Sequence, residues 1–162
     1  METNPAPMQI LLVEDSPTDR LMVTEALGQA RLANRVHAVE DGVVAMAFLH
    51  REGVYADAPR PDLVLLDLNM PRKGGREVLA EVKADPALRG IPVVVFTSST
   101  AAADVAGAYD LHANCYIAKP VNFDGFARVL GVLDQFWLEI ATLPPRTHGS
   151  TPPPRSAPIP VT

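Results

Sequence analysis

Five polar side chains stand where short apolar runs stop. Glu14 and Asp15 follow Gln9-Ile10-Leu11-Leu12-Val13, Asp67 follows Leu63-Val64-Leu65-Leu66, Thr97 follows Val93-Val94-Val95-Phe96, and Lys119 follows Tyr116-Ile117-Ala118. The run from Leu63 to Leu66 has the continuous apolar character of a strand buried on both faces, and a carboxylate at its end costs stability unless something compensates it. If the three acids meet, their mutual repulsion invites a hard divalent cation with oxygen ligands, most simply Mg²⁺. Lys119 would add a point positive charge and Thr97 a hydroxyl donor. Taken singly, each has a plainer reading: Glu14 and Asp15 as helix caps, Asp67 as a loop cap near Met70-Pro71, Thr97 as a β-branched strand end, Lys119 as a solvated charge. Recurrence at successive strand ends is what sets them apart.

To converge, these residues need elements that bring four strand ends to one edge. Strands are expected at Gln9–Val13, Arg35–Val39, around Asp62–Leu66, at Ile91–Phe96 and at Asn114–Ala118. Between them lie helical patterns. Ser16-Pro17 opens the first, which carries Leu21, Met22, Ala26 and Leu27 and stops near Gly28. Asp41-Gly42 opens the second, with Val43, Val44, Ala47, Phe48 and Leu49 on its inner side, and the third runs from about Gly75 to Lys83 with Val78, Leu79 and Val82 as its stripe. Ala101 to Tyr109 is Ala-rich and short of large apolar residues, so the fourth helix is expected to be weakly anchored. The fifth starts near Asn122. Five β/α units in succession call for an α/β flavodoxin-like doubly wound (βα)5 fold, with a five-stranded parallel sheet in the order 2-1-3-4-5. In that order the first and third strands are neighbours at the switch point, so Glu14, Asp15 and Asp67 meet there.

The motifs Leu11-Leu12-Val13-Glu14-Asp15, Leu65-Leu66-Asp67-Leu68-Asn69-Met70-Pro71, Gly74-Gly75, Val94-Val95-Phe96-Thr97 and Tyr116-Ile117-Ala118-Lys119-Pro120 stand in the order found in the receiver domain of two-component response regulators, which the chain resembles over about residues 8 to 138. That resemblance implies that Asp67 is a phosphoacceptor. Glu14, Asp15, Asp67 and the backbone carbonyl of Asn69 would hold Mg²⁺, and Thr97 and Lys119 would bind phosphoryl oxygens. Tyr116 would be the aromatic switch residue, and the Lys119-Pro120 bond would be cis. The donor would be a sensor histidine kinase. Ser98 and Ser99 are departures: Ser98 is bulkier than the Ala often found there, and Ser99 brings no carboxylate or amide to orient a hydrolytic water.

The segment Phe136-Trp137-Leu138-Glu139-Ile140-Ala141-Thr142-Leu143-Pro144, with Asp110 to Tyr116 upstream, is also similar to single-domain response regulators that pair with phytochromes. That narrower resemblance implies a bacteriophytochrome as the kinase and a homodimer joined through the face of the fourth and fifth helices. Leu133, Phe136, Trp137, Leu138, Ile140 and Leu143 give more apolar surface than one inward stripe requires. A dimer contact through Phe136, Trp137, Ile140 and Leu143 is one reading; folding back over the chain's own core is the other.

Composition bounds the alternatives. With 162 residues, 48% of them hydrophobic, and a net charge of −5, the chain can bury one full core. Lacking a Lys/Arg-rich run, it is not expected to bind nucleic acid, and the residues beyond the receiver are too few for a helix-turn-helix output domain. No secretory signal or membrane-spanning run is present, so a cytoplasmic protein without a membrane partner is expected. Cys115 is expected to be a small buried hydrophobe. The organisation is then a tail at 1–7, the receiver with its extended last helix at 8–143, and a Pro-rich tail at 144–162, extended or disordered.

Three other functions compete with the expected one, a stand-alone regulator that is not itself an enzyme. An intermediate phosphorelay stage would hand the phosphoryl group to a histidine phosphotransfer protein. An unphosphorylated interaction module would have an incomplete pocket. An aspartyl-phosphate hydrolase would need a second Asp two positions beyond the nucleophile, where Asn69 stands.

Overall fold

A computed structural model describes residues 6–29 and 33–145, with the side chains of 138–140 excepted. The first five residues, most of the Pro-rich tail (146–162) and the side chain of Ile140 lie outside the described residues. The elements alternate as the sequence predicts: β1 (Met8–Val13), α1 (Pro17–Gly28), β2 (Asn34–Val39), α2 (Gly42–Leu49), β3 (Leu63–Leu66), α3 (Gly75–Ala84), β4 (Val93–Thr97), α4 (Ala102–Asp110), β5 (Cys115–Ala118) and α5 (Phe123–Asp134). All strand pairs are parallel, in the order β2-β1-β3-β4-β5. Val13 sits opposite both Val39 and Leu66, Leu66 opposite Val95, and Thr97 opposite Ala118, so the carboxyl ends of the strands form one edge.

Burial follows from that order. β3 and β4 are buried along their whole length, because helices cover both faces of a central parallel strand. On one side, Leu11, Val13, Val64, Leu66, Val93 and Val95 pack with α2, α3 and Ala108 of α4. On the other, Ile10, Leu12, Leu63, Leu65, Val94 and Phe96 pack with Val23 and Leu27 of α1 and Phe126, Leu130 and Leu133 of α5. The edge strands β2 and β5 are only partly covered. Cys115, on β5, is accordingly half-buried rather than buried.

Local chemistry fixes the starts of the helices. Ser16 Oγ accepts from the amide of Asp19 at 3.3 Å, Asp41 Oδ1 from that of Val44 at 3.0 Å and Asn122 Oδ1 from that of Gly125 at 2.7 Å. Gly75 is needed for a different reason. A Cβ there would collide with the carbonyl oxygen of Asp67 and the Cα of Leu68, so only glycine lets α3 start this close to the end of β3.

Several expectations are corrected in detail. The inner face of α2 presents Ala45 and Met46 with Phe48 and Leu49, while Val43 is 48% exposed. No cis peptide bond occurs among the described residues, so the Lys119-Pro120 bond is trans, the intrinsically favoured form even before proline. A single 3₁₀ turn (Gly53–Tyr55) precedes β3, and α5 widens into a π-helical turn over Gln135–Ile140, where the Ala141 amide reaches the Phe136 carbonyl at 2.6 Å. That wider turn is invisible to a 3.6-residue pattern. It lets Trp137 fold partly onto the α1/α5 side of the core, as the fold-back reading had it, while Phe136 stays 50% exposed. Leu143 is half-buried.

Candidate functional site

The edge formed by the strand ends gathers most of the polar residues singled out from the sequence. The amide of Glu14 bonds to Val39 O and that of Asp67 to Val13 O, both at 3.0 Å, which extends the ladder by one residue and aims both side chains past the sheet. One carboxylate oxygen from each of Glu14, Asp15 and Asp67 lies within 4.8 Å of the other two. Glu14 and Asp67 are buried, and Asp15 is exposed. Asn69 donates its backbone amide to Asp67 Oδ1 at 3.4 Å, with its side chain in solvent.

Lys119 reaches into the middle of this group. Its Nζ donates to Glu14 Oε2 at 2.5 Å, Asp19 Oδ2 at 2.8 Å and Asp67 Oδ2 at 3.3 Å, and its side chain is 7% exposed. Burial opposes the Lys119 charge, but the hydrogen bonds to Asp19 and Glu14 and the charges of Asp67 and Glu14 outweigh it, and its pKa lies above that of an ordinary lysine. Burial pushes the Glu14 carboxyl up to about 7, with the Asp67 charge adding to the rise and hydrogen bonds from Lys119 and Ser16 opposing it. Three carboxylates thus bond one ammonium, and Asp15 stands beside two of them. The donor set is hard, all oxygen and short of positive charge, and it fits a divalent cation.

Thr97 is fully buried at the end of β4, and its Oγ1 has no hydrogen-bond partner among the described residues. Such a hydroxyl is costly unless something else can use it. Its carbonyl accepts from the Lys119 amide at 2.7 Å, which locks the ends of β4 and β5 together.

Tyr116 lies apart from the acids. It packs half-buried against the α2/α3/α4 side of the core, its hydroxyl donates to Ser99 O at 2.9 Å, and its amide donates to Tyr109 Oη at 3.2 Å. Ser99 donates to Asp104 Oδ2 at 2.5 Å and accepts from the Ala101 amide at 3.3 Å, so it ties down the start of a helix that buries only Ala108 and has no side-chain N-cap. Arg76 of α3 pairs with the same Asp104.

Two site residues escaped sequence reasoning. Asp19, in the first turn of α1, reads as an ordinary helix-dipole acid. Arg20 donates one nitrogen to the carbonyls of Glu14 at 2.8 Å and Asp15 at 3.1 Å, fixing the turn that presents both acids. Their spacing after Asp15 places them on the first turn of the helix, but the contact of Asp19 with a lysine 100 positions away needs the tertiary fold.

Residues 10–130 match the response regulator receiver domain family. The chain belongs to that family. Among curated relatives of this receiver, response regulator Rcp1 of a Synechocystis strain is 48% identical over 143 residues, spanning 88% of this chain and 97% of that protein. The crystal structure of the phosphorylated cyanobacterial phytochrome response regulator RcpA is 49% identical to the receiver, covers 86% of this chain and all of that one, and superposes with a TM-score of 0.84. The Mn²⁺-bound form of Rcp1 is 47% identical, with the same coverage and a TM-score of 0.83. Among the described residues of the receiver, no helix is long and apolar enough to cross a membrane.

Proposed function

We propose that Asp67 accepts a phosphoryl group from a sensor histidine kinase, with Mg²⁺ bound by Glu14, Asp15, Asp67 and the backbone carbonyl of Asn69. The observation that carries this reading is the setting of Asp67: a buried carboxylate with an ammonium 3.3 Å away, beside a strand whose terminal hydroxyl is buried and, among the described residues, unpartnered. In the transfer, an Asp67 oxygen forms a P–O bond as the P–N bond of the phosphohistidine breaks, and the electron pair returns to the imidazole. The cation, when bound, would supply charge neutralisation on the transferring group. Lys119 and the Thr97 hydroxyl would hold the new oxygens, which bring a charge of about −2 into an acidic pocket.

The output follows from the contacts of the β4–α4 loop. Turning Thr97 toward the phosphoryl group moves the end of β4, and the bond from Tyr116 to Ser99 passes that change to the start of the weakly packed α4. We further propose a cytoplasmic homodimer that contacts its twin through the α5 face. Support comes from Val132 and Phe136, 63% and 50% exposed, which border a mostly apolar groove of about 380 Å³ shared with Ile117, Val129 and Trp137. The similarity to phytochrome response regulators favours a bacteriophytochrome as the kinase.

The test is the intact mass of the protein after acetyl phosphate and Mg²⁺, beside Asp67→Asn. A gain of one phosphoryl group in the unsubstituted protein alone supports Asp67 as acceptor. No gain, or an equal gain in the variant, leaves an interaction module whose pocket goes unused.

A further inference from the structure

An ammonium carries three protons, and those of Lys119 are taken by Glu14 at 2.5 Å, Asp19 at 2.8 Å and Asp67 at 3.3 Å. Glu14 and Asp67 also belong to the carboxylate cluster whose oxygens lie within 4.8 Å of one another. Lys119 and a divalent cation would therefore compete for the same carboxylates, with like charges facing each other across shared ligands. Asp19 is the one carboxylate bonded to Lys119 that stands outside the cluster. It is well placed to keep the ammonium. Its backbone amide is held by Ser16 Oγ at 3.3 Å, the next residue, Arg20, grips the carbonyls of Glu14 and Asp15, and its side chain is 23% exposed, so the pair is partly shielded from solvent screening.

We infer that Asp19 is a positioning residue, the berth that holds the Lys119 ammonium when a divalent cation takes Glu14 and Asp67. This inference rests on the cation site proposed above. Without Asp19 the ammonium falls back on Glu14 and Asp67 and competes with the metal. Removing Asp19 should therefore weaken cation binding through Lys119, not merely by deleting a negative charge.

The test is calorimetric titration of the full chain with Mn²⁺ alone, in five forms: unsubstituted, Asp19→Asn, Asp19→Glu, Lys119→Met, and Asp19→Asn combined with Lys119→Met. The expected result is a dissociation constant about tenfold higher in Asp19→Asn, recovery in Asp19→Glu, and less than about a twofold change from Asp19→Asn once Lys119 is gone. Equal affinity in Asp19→Asn and the unsubstituted protein overturns the role of Asp19 while the cation site stands. Equal weakening in both Lys119 backgrounds overturns it too, because the effect is then one of charge alone. Absence of Mn²⁺ binding by the unsubstituted protein overturns both readings. A crystal structure with Mn²⁺ gives a check that needs no variant to fold: Lys119 Nζ stays bonded to Asp19 and leaves Glu14, and an ammonium still on Glu14 refutes the inference.

Discussion

Lys119 Nζ lies 3.3 Å from Asp67 Oδ2 although a whole strand separates the two residues in the sheet, Asp67 following β3 and Lys119 following β5, with β4 between them. The side chain of Lys119 must therefore cross the end of β4, where Thr97 holds the Lys119 amide at 2.7 Å and keeps its own hydroxyl buried and, among the described residues, unpaired. The geometry of the acid and the ammonium is thus set by the strand neither belongs to. A change at Thr97 is felt by both.

Replacing Thr97 with valine keeps the shape and removes the orphaned hydroxyl. Burying an unpaired hydroxyl costs about 1–3 kcal/mol, so Thr97→Val should raise unfolding stability by about 1 kcal/mol in urea titration. The same change deprives the incoming phosphoryl group of a donor, and phosphorylation by acetyl phosphate should slow by about tenfold. A variant that is less stable and phosphorylated at the original rate would show that the hydroxyl does neither job.

The two glycines at the start of α3 make a paired test. Gly75→Ala drives a Cβ into the Asp67 carbonyl and the Leu68 backbone, atoms that cannot swing aside, whereas a Cβ at Gly74 comes no nearer than 3.4 Å to anything. Gly75→Ala should cost more than about 2 kcal/mol and displace Asp67, and Gly74→Ala less than about 1 kcal/mol. Thermal unfolding of the two variants side by side measures the difference, and similar melting points would mean that the close approach of α3 to β3 is not needed.

Much of this arrangement is legible in the sequence because it depends on local pattern. The apolar runs ending at Val13, Leu66 and Phe96 mark the strands, the alternation with helical stripes dictates a parallel sheet, and the sheet order brings Glu14, Asp15 and Asp67 together without knowledge of any side-chain contact. What is not legible depends on reach. Asp19 looks like a helix-start acid until the fold brings Lys119 to it. Ser99 looks like a missing water-orienting group, yet it anchors Asp104 and receives the Tyr116 hydroxyl through its carbonyl. The apolar excess after Leu133 was visible, but its division between core and surface depends on the π-helical turn, which sends Trp137 partly inward and leaves Phe136 out.

The raised pKa of Glu14 predicts a pH dependence with a definite sign. Burial, aided by the Asp67 charge and opposed by the bonds from Lys119 and Ser16, lifts this carboxyl from 4.5 to about 7, so the folded state binds its proton more tightly than the unfolded one. Its contribution to stability is then full below pH 4.5 and is lost as pH rises through about 7. His37 acts in the opposite direction, because burial, helped by Arg35, lowers its pKa below 6.5; its contribution is present above 6.5 and lost as pH falls through the folded value. Comparison with Glu14→Gln cancels the histidine. Without divalent ions, the stability of the unsubstituted protein relative to Glu14→Gln should fall as pH rises from 4.5 to above 7, and saturating Mg²⁺ should flatten that fall. A difference that does not change with pH would mean that folding leaves the proton affinity of Glu14 unaltered.

The α5 face gives the last prediction. Phe136 stacks edge-on against Trp137 with ring centroids 5.4 Å apart, and while Trp137 is partly spent on the chain's own core, Phe136 is half exposed. A charge at Phe136 therefore burdens an interface far more than it burdens the monomer. Phe136→Asp should convert a dimer to a monomer in sedimentation velocity, raising the dissociation constant at least about thirtyfold if the ring is a central anchor, with little change in melting of the isolated fold. Val54→Asp is the control, because Val54 is 93% exposed in the short turn before β3, and its substitution should leave the sedimentation coefficient alone. If Phe136→Asp still sediments as a dimer, the apolar excess of the last helix serves another contact. If both variants become monomeric, the interface is not confined to α5 but also includes the turn before β3.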